Sequence, residues 1–372
     1  MLRILLLAPG LGRQQRGAET FTAECFAALR GDPRLDLFLA RGAGAAGSRI
    51  LRIRHLPRDT PWAIRLGTRL GGDGYTGEQW SFVAGLVPQL LRLRPDVVYL
   101  GDRLLCRLLH RWRRISRSRF RLLLRNEAPF PAPFPEADFV QQLTTAQLEL
   151  GLEAGESSSR QALVPYGFFV AERSSLVDEE SKRALRRRLG LPEDPQIVLS
   201  VGVLDSVHKG HDRLIRGCAL AERPSFLVLL GARAEGTPLL EELGHSLLGP
   251  SRMTIRTVEP ADISAYYRAA DIFVLASLRE GFGRAYVEAA GHGLRCIVHR
   301  EGIAKEVLGE WGTYVDAADE QALAVAIDEA VTAGPDDDAV PRRQAMIERY
   351  DWRNLTERYV ELFRAAAAVP TR

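Results

Sequence analysis

The sequence is poor in cysteine and lysine and contains no long apolar run. Its four cysteines lie far apart and form no CxxC pair, which argues against a disulfide framework and a cysteine-based zinc site; they are Cys25, Cys106, Cys218 and Cys296. We expect free, buried thiols in a reducing cytoplasm. No stretch reaches the roughly 18 uninterrupted apolar residues of a transmembrane helix. The opening MLRILLLAPG is too short for a span and no small-residue cleavage site follows it, so we interpret it as a buried strand.

Positive charge comes almost entirely from arginine and is unevenly distributed. Residues 1–170 hold 24 Arg and no Lys against 15 acidic residues, whereas residues 171–372 hold 26 basic and 32 acidic residues. This asymmetry suggests an anionic partner on the N-terminal side. The densest basic segment, 103–125, has the spacing of an amphipathic helix that runs into a strand. It is either a solvated helix face or a surface for a membrane or an anionic acceptor, and its few aromatic residues argue against nucleic acid.

Length and apolar content predict a two-domain α/β protein. The chain has 372 residues, of which 46% are apolar, and this exceeds one ordinary domain. Apolar runs alternate with helical patterns twice, which predicts two Rossmann-like, doubly wound domains that face each other across a cleft. We place them at 1–170 and 171–350 and expect the closing segment, 351–372, to pack back on the first. The predicted strands are 2–9, 35–40, 96–100, 120–125, 196–204, 225–231, 253–258, 271–277 and 295–299, and the predicted helices include 19–31, 211–222, 263–271 and 352–366.

The segment REGFGRAYVEAAGHG (279–293) follows the predicted strand 271–277 and has the composition of an anion site. Its glycines at 281 and 283 allow a ligand to approach the backbone, and a helix is predicted to start just after them. The N-terminus of a helix after a glycine turn suits a diphosphate. Glu280 and Glu288 bracket the segment, and a carboxylate can accept hydrogen bonds from the vicinal hydroxyls of a sugar or a ribose. An ordinary strand-to-helix turn with surface acids remains the alternative.

Two other loops have the same strand–loop–helix form. SVGVLDSVHKGHD (200–212) contains Lys209, one of three lysines, just before a glycine at a predicted helix start, where it can reach a phosphate. PGLGRQQRGAET (9–20) contains GxG without the third glycine of a dinucleotide-binding fingerprint, and Gly17 opens the helix that follows. The histidines show no metal-ligand spacing, so no metal site is predicted.

Taken in order, these segments resemble the family-4 retaining glycosyltransferases of the GT-B fold. That family has a glycine-rich first loop, a Lys-Gly pair after the first strand of its second domain, and two glutamates separated by seven residues around EGFG. The resemblance extends over nearly the whole chain, is strongest over 196–316 and weakest over 35–160. The matching segments are RGAE (16–19), VPYGF (164–168), HKGHD (208–212), AYYRAADIFVLAS (265–277), EGFGRAYVEAAGHG (280–293), LGEWGTYVD (308–316) and DWRNLTERYVELF (351–363).

The resemblance implies a role for each matching residue. Glu280 would hold the hydroxyls of the donor sugar, Glu288 would hold the ribose, and Lys209 would neutralise the diphosphate leaving group. The backbone amides of Phe282, Gly283 and Arg284 would bind the sugar and the β-phosphate, and Gly17 would let the first loop close on the phosphates.

The chain departs from the family pattern at several positions. Val203 stands where many members have an arginine, and Arg284 or Arg16 would then supply that charge. Arg256 stands where the base-binding strand usually ends in glycine, and we include it with Thr257 among the nucleotide-binding candidates. Where a histidine often faces the sugar, the chain has Asn126, which could hydrogen-bond a sugar hydroxyl. Glu127 is an acceptor-side base or a structural residue.

The resemblance implies a metal-independent enzyme without a cofactor that transfers a sugar from a UDP- or GDP-sugar with retention of configuration. The expected acceptor is a lipid-linked glycan, a small metabolite or a natural product, and it is anionic or membrane-associated. The expected location is the cytoplasm, with the inner membrane face as an open alternative. Two other classes stay open: another GT-B enzyme, such as a phosphorylase or a nucleotide-sugar epimerase, and a non-catalytic, membrane-associated binding module.

Overall fold

The computed structural model describes residues 1–13, 17–127, 131–205 and 208–372. Within them the chain divides into two compact units. Unit 1 comprises Met1–Phe168 and Leu355–Arg372, and unit 2 comprises Phe169–Asn354.

In the described part of the chain, each unit contains one parallel sheet. The strands of unit 1 are β1 (Leu2–Ala8), β2 (Leu35–Arg41), β3 (Ile50–Arg52), β4 (Val97–Leu100), β5 (Arg121–Arg125), β6 (Phe139–Gln142) and β7 (Gln161–Leu163), and those of unit 2 are β8 (Ile197–Val201), β9 (Phe226–Leu230), β10 (Met253–Arg256), β11 (Ile272–Leu275), β12 (Arg295–His299) and β13 (Gly312–Val315). Their spatial orders are β3-β2-β1-β4-β5-β6-β7 and β10-β9-β8-β11-β12-β13. The predicted pair of α/β Rossmann-like domains is confirmed.

Helices alternate with the strands along the chain. They are α1 (Gly17–Leu29), α2 (Pro61–Arg69), α3 (Gly74–Leu93), α4 (Arg103–Ser116), α5 (Thr145–Glu153), α6 (Val170–Arg173), α7 (Glu179–Leu189), α8 (His211–Leu220), α9 (Thr237–Leu247), α10 (Pro260–Ala269), α11 (Arg284–Gly291), α12 (Ala304–Leu308), α13 (Glu320–Thr332), α14 (Ala339–Tyr350) and α15 (Trp352–Ala368), with short 3-10 turns at Ser158–Arg160 and Gly309–Trp311. Helices cover the sheets, so the strands are buried and carry the continuous apolar runs from which they were predicted.

Four strands were not predicted: β3, β6, β7 and β13. Strands β3 and β7 have only three residues each. Strand β6 ends in Gln141 and Gln142, which are buried because their side chains are hydrogen-bonded; the Gln141 amide donates to the Val164 carbonyl at 2.7 Å and the Gln142 amide to the Gln161 side-chain oxygen at 2.9 Å. A polar strand of this kind gives no hydrophobic signal.

Each sheet has one point where the direction of strand addition reverses. In unit 1, β1 lies between β2 and β4, and in unit 2, β8 lies between β9 and β11. In doubly wound sheets this reversal opens a crevice at the carboxyl ends of the two central strands, where ligands bind. The topology therefore indicates that ligands bind at the loops after β1 and β4 in unit 1 and at the loops after β8 and β11 in unit 2.

The closing part of α15 packs on unit 1. The Tyr359 hydroxyl donates to the Pro165 carbonyl at 2.8 Å, and the Phe363 ring meets the Tyr99 ring edge-on at 5.4 Å between centroids. Arg34 forms an ion pair with Glu357 at 2.7 Å. The chain thus returns to its first unit after completing the second.

The sequence is poor in cysteine and in long apolar segments, and the structure describes both features. The four cysteines are free and buried, as expected, and burial raises the pKa of the Cys218 and Cys296 thiols to about 12. Across the described residues, no helix combines the length and the hydropathy that crossing a bilayer requires.

Candidate functional site

The two segments that flank the β8–β11 pair lie next to each other in unit 2. Lys209 follows β8 and Glu280 follows β11, and these two strands are hydrogen-bonded neighbours although 71 positions separate the two residues. Lys209 Nζ donates to Glu280 Oε1 at 2.6 Å, and both side chains are mostly buried. Partial burial strengthens such an ion pair relative to one on an open surface. The sheet topology therefore brings together two of the predicted residues.

Gly202 makes room for the lysine. A Cβ atom at this position would lie 2.9 Å from Lys209 Cγ, so the apolar part of the lysine side chain runs directly over the end of β8. The adjacent turn is left-handed at Gly210, whose φ is +65°, and α8 begins at the next residue. Glycine favours that conformation because it has no side chain to clash.

Two polar residues that the sequence analysis missed hold these segments in place. The carboxylate of Asp205 accepts hydrogen bonds from the backbone amides of His208 at 2.8 Å and Lys209 at 3.2 Å. Burial acts to raise the Asp205 pKa, but these amides outweigh it and hold the pKa below its usual value. An aspartate that binds the backbone amide three residues further on, as Asp205 does with His208, is a recognisable sequence signal for a turn.

Ser277 connects the two loops. Its buried hydroxyl lies 2.8 Å from the carbonyl oxygen of His208 and 2.9 Å from that of Arg279. It therefore links the residue before Lys209 to the residue before Glu280. No sequence pattern indicates this contact, because the two loops meet only in the folded sheet.

Helix α11 begins at the glycine turn, as the sequence predicts. Gly283 occupies the N-cap with φ +79°, and a Cβ there would lie 2.2 Å from the buried Tyr286 ring. Both the backbone conformation and the neighbouring ring therefore require glycine at this position. A glycine cap has no side chain that could bind the first amides of the helix. The positive end of α11 therefore points towards the loop that carries Phe282 and Glu280, which favours an anionic ligand.

Glu288 lies on the same helix and is held from two sides. Its Oε2 accepts a hydrogen bond from the Tyr267 hydroxyl at 3.1 Å, and its Oε1 lies 3.4 Å from an Arg284 guanidinium nitrogen, one helical turn earlier. Burial and then the Glu288 charge raise the Tyr267 pKa, so this hydroxyl stays protonated and remains a donor. Glu288 is only partly buried and still has a face accessible to a ligand.

Arg256 and Thr257 have other partners. The Arg256 guanidinium donates to the carbonyls of Leu189 at 2.5 Å and Gly190 at 3.2 Å, at the C-terminus of α7. The Thr257 hydroxyl donates to the Gly231 carbonyl at 2.7 Å. Arg256 also lies within hydrogen-bond distance of the Thr254 and Tyr266 hydroxyls. None of these contacts is with Lys209 or the two glutamates. The assignment of Arg256 and Thr257 to nucleotide binding stays a prediction.

In unit 1, Glu127 is the ion-pair partner of a buried arginine. Arg125 is enclosed by aromatic rings, with its guanidinium carbon 4.5 Å from the Phe21 centroid and 5.2 Å from that of Tyr99. Arg125 Nε donates to Glu127 Oε2 at 2.7 Å, and a second guanidinium nitrogen binds the same oxygen. The Glu127 carboxylate also lies over the end of β4, where a Cβ on Gly101 would come within 2.2 Å of it. Glycine at 101 is thus needed for this arrangement.

The neighbouring residues complete the carboxyl edge of this sheet. Asn126 is buried, and its amide donates to Gln142 Oε1 at 2.9 Å, while its Oδ1 has no hydrogen-bond partner among the described residues. Asp102 caps α4 and accepts a 2.5 Å hydrogen bond from the Tyr75 hydroxyl, and burial raises its pKa. Gly17 is the first residue of α1, and Arg16 lies outside the described residues.

The basic segment 103–125 is a helix, α4, followed by β5. The apolar face of α4 is buried in the core of unit 1, through Leu105, Leu108 and Leu109. Arg113 is itself buried and pairs with Asp138. This apolar face is therefore in the interior, and what the helix presents outward is mainly arginine.

The chain is similar in sequence to known glycosyltransferases. Residues 181–350 match the family model described as "Glycosyl transferases group 1". The D-inositol 3-phosphate glycosyltransferase of Corynebacterium urealyticum is 30% identical over 211 residues, with 52% of this chain and 48% of that protein covered. The GDP-mannose-dependent alpha-(1-6)-phosphatidylinositol monomannoside mannosyltransferase of Mycolicibacterium smegmatis is 29% identical over 210 residues, with 50% of this chain and 52% of that protein covered. The chain thus matches about half the length of these curated relatives.

Solved structures share the fold over nearly the entire chain. Anabaena HepE in complex with UDP and glucose has a TM-score of 0.76 and 17% identity, covering 98% of this chain and 100% of that one. Sucrose-phosphate synthase from Thermosynechococcus elongatus has a TM-score of 0.77 and 20% identity, covering 98% of each. At this level of identity the likeness concerns the fold alone, and it confirms the predicted GT-B class.

Proposed function

We propose that the protein is a retaining glycosyltransferase that moves a sugar from a nucleoside diphosphate sugar to an acceptor hydroxyl. The match of residues 181–350 to the model of the glycosyl transferases group 1 family supports this proposal. The observation that carries the proposal is the Lys209–Glu280 pair at the reversal point of the unit 2 sheet, beside the N-terminus of α11. A cation, an anion-binding helix end and two carboxylates in this order suit a diphosphate flanked by two polyols.

The charge and hydrogen-bonding capacity of the described residues suggest where each part of the donor binds. The diphosphate lies against Lys209 and the amides of Phe282, Gly283 and Arg284, because these are the positive groups of the site. Glu280 accepts hydrogen bonds from the sugar hydroxyls, and Glu288, fixed by Tyr267, accepts those of the ribose. Gly17, at the start of α1, would let the first loop close on the phosphates. Arg16, the preceding residue in the sequence, would supply positive charge to them.

A UDP- or GDP-sugar is the proposed donor class. Anabaena HepE was solved with UDP-glucose, at a TM-score of 0.77 and 18% identity, and the Mycolicibacterium relative is named as GDP-mannose-dependent. Both names support a nucleoside diphosphate sugar and leave the base open. Thr257 and the Arg256 backbone at the end of β10 are the candidates for contact with the base.

The reaction breaks the bond between the anomeric carbon and the β-phosphate oxygen and forms a bond from that carbon to the acceptor oxygen on the same face. The acceptor proton passes to the departing diphosphate. The protein's part is to orient the two substrates and to stabilise the negative charge that develops on the β-phosphate, which Lys209 and the start of α11 do. These groups supply positive charge without a metal ion, so we propose that transfer is metal-independent.

On the unit 1 side, Asn126 is the proposed partner of a sugar or acceptor hydroxyl, because its buried Oδ1 has an unused acceptor position among the described residues. Glu127 has a partly exposed carboxylate whose orientation Arg125 fixes. That carboxylate can orient an acceptor hydroxyl, and an anionic or membrane-associated acceptor is proposed on the net positive charge of residues 1–170.

A binding screen followed by product analysis tests the proposal. The melting temperature of the protein is measured with UDP-, GDP- and ADP-sugars, and a bound donor raises it. Slow release of free sugar from the stabilising donor, abolished in Glu280→Ala, indicates an enzyme rather than a binding module. Proton NMR of the glycoside formed by transfer reports the anomeric configuration, because a glycoside does not mutarotate as a free sugar does. Activity in EDTA reports metal dependence. An inverted product would contradict retention, and stabilisation by none of the donors would contradict the donor site.

A further inference from the structure

Helices α2 and α3 of unit 1 form a hairpin whose interior is made of small residues. A Cβ atom on Gly67 would lie 1.6 Å from the Asp73 carbonyl oxygen, and one on Gly77 would lie 2.0 Å from that of Ala63. The two helix backbones therefore touch, and no larger side chain fits between them. This close packing leaves the large apolar residues of the hairpin without a place inside it.

One face of α3 is buried in the core of unit 1, through residues such as Phe82 and Leu86, but other large apolar residues of the hairpin are exposed. Trp62 is 66% exposed and Trp80 is 38% exposed, and they are accompanied by exposed Ile64, Leu70 and Leu91. On α3 the exposed positions Trp80, Ala84, Pro88 and Leu91 recur every three or four residues, so they share one face of the helix. A soluble surface rarely leaves such a set of side chains in water without a function.

Arginines outnumber acidic residues on the same hairpin. Arg65 and Arg69 are exposed on α2, and the Arg65 guanidinium carbon lies 5.3 Å from the Trp62 ring centroid. The only acidic residue within the two helices is Glu78, which is buried and paired with Arg58 at 2.5 Å. The outer face therefore combines tryptophan, aliphatic residues and arginine. Two exposed acids, Asp59 and Asp73, flank α2 in the sequence.

We propose that this α2–α3 face docks on the surface of an anionic lipid bilayer. Tryptophan favours the boundary between headgroups and acyl chains because its ring is apolar and its N–H is polar, and arginine binds lipid phosphates. A second copy of the chain is disfavoured as the occupant, because a two-fold contact through this face would place arginines of like charge together. The proposal goes beyond the sugar transfer and does not depend on it.

The location of the hairpin determines which edge of unit 1 would lie at the membrane surface. The Tyr75 hydroxyl, at the start of α3, donates to Asp102 at the end of β4, so the hairpin is anchored at the carboxyl edge of the unit 1 sheet. Docking would bring that edge, with Glu127, to the membrane surface. Helix α4 has the denser arginine content but exposes a single large aliphatic residue, Ile115, so it serves as the contrast.

Vesicle co-sedimentation of the full chain tests the proposal. Vesicles of phosphatidylcholine alone are compared with vesicles that contain phosphatidylglycerol, at low and high salt. Binding is expected only with phosphatidylglycerol and is expected to weaken with salt. Trp62→Ser with Trp80→Ser should weaken binding at least tenfold, and Arg65→Gln with Arg69→Gln should weaken it about fivefold for each arginine.

The matched control is on α4. Ile115→Ser with Arg111→Gln and Arg114→Gln removes an equally exposed aliphatic residue and two exposed arginines from the same unit and should leave binding unchanged. Brominated lipids give a second readout: they should quench the wild-type tryptophan fluorescence and quench the Trp62→Ser, Trp80→Ser variant much less. Equal melting temperatures establish that the variants are folded.

Three results would overturn the proposal. The first is a wild-type chain that does not bind phosphatidylglycerol vesicles. The second is a control that loses binding as much as the hairpin variants. The third is a hairpin variant that dissociates an oligomer, seen by light scattering, while vesicle binding is absent throughout, which would assign the face to protein association.

Discussion

Lys209 Nζ lies 2.6 Å from Glu280 Oε1, so the cation proposed for the donor phosphates and the carboxylate proposed for the donor sugar are each other's partners. A diphosphate that binds Lys209 competes with Glu280 for it. Once the phosphates occupied the lysine, Glu280 would be released to accept hydrogen bonds from the sugar. In the proposed donor site the ion pair would therefore couple phosphate binding to sugar recognition.

Replacing Glu280 by glutamine should separate these two steps. Glu280→Gln should bind the nucleoside diphosphate at least as tightly as the wild type, because Lys209 loses a competing anion. Turnover should fall by about a hundredfold or more, since a neutral amide holds the sugar less well as charge develops. Calorimetry with the nucleoside diphosphate and steady-state kinetics with the donor measure the two effects. A parallel fall in diphosphate affinity would contradict the competition.

Lys209→Met should have the opposite pattern. The nucleoside diphosphate should bind at least tenfold more weakly, because a charge-assisted hydrogen bond contributes about 1.5–3 kcal/mol. The nucleoside monophosphate should lose little, since it has no β-phosphate. Lys305→Met, on the exposed surface of α12, is the matched control and should bind both nucleotides normally. Equal losses for mono- and diphosphate would remove Lys209 from the β-phosphate.

Gly283→Ala should lower the free energy of unfolding by more than the cost of placing alanine at a positive φ, and it should impair the donor site. Any alanine at positive φ costs about 1–2 kcal/mol, and at Gly283 the new Cβ would also meet the buried Tyr286 ring at 2.2 Å. Gly302→Ala provides the control, because its φ is +81° and no atom lies within 4 Å of a Cβ there. Chemical denaturation should show a larger loss for Gly283→Ala, with donor binding lost only in that variant. Equal losses of stability would mean that Tyr286 moves aside without cost.

Glu127→Ala should destabilise unit 1, because it leaves the Arg125 guanidinium buried without its carboxylate. Breaking a buried pair in this way costs about 3–5 kcal/mol. Combining Arg125→Met with Glu127→Gln removes both charges and should restore most of the unfolding free energy. If the restored protein remains inactive, Glu127 acts on the acceptor; if activity returns with stability, its role is structural. Urea denaturation with a transfer assay distinguishes the two.

Acid should destabilise the protein through His211. Burial lowers the His211 pKa from 6.5 to about 4, against the Asp205 charge, which raises it, and with Lys209, which lowers it further. Between these two values the unfolded chain binds a proton that the folded chain does not. The contribution of His211 to the free energy of unfolding therefore falls as pH drops from 6.5 to 4 and changes no further below that. The shift corresponds to about 3 kcal/mol.

His211→Phe should remove this dependence while retaining the other contributions. His292, whose pKa burial also lowers to about 4, is present in both proteins, so its effect cancels in the comparison. Denaturation at pH 7, 5.5 and 4 measures the difference. Identical pH profiles would show that His211 titrates alike in the folded and unfolded states.

Local sequence determined the elements of this fold and much of its donor site. Continuous apolar runs predicted nine strands correctly, because buried parallel strands need apolar residues on both faces. The glycine turn at 283 and the helix after it were readable because glycine alone suits that backbone. Strand β6 was not readable, because Gln141 and Gln142 are buried through side-chain hydrogen bonds that have no periodic signature.

What only the tertiary structure decided is which residues meet. The pairing of β8 with β11 places Lys209 against Glu280, and Ser277 then ties their two loops together. Arg125 is distinguished in the sequence only as the last arginine of the basic segment 103–125, whereas the fold surrounds it with aromatic rings and makes Glu127 its counter-ion. Sequence determines local conformation because propensity and periodicity act between near neighbours. Long-range partners depend on strand order, which is set by the packing of the whole sheet.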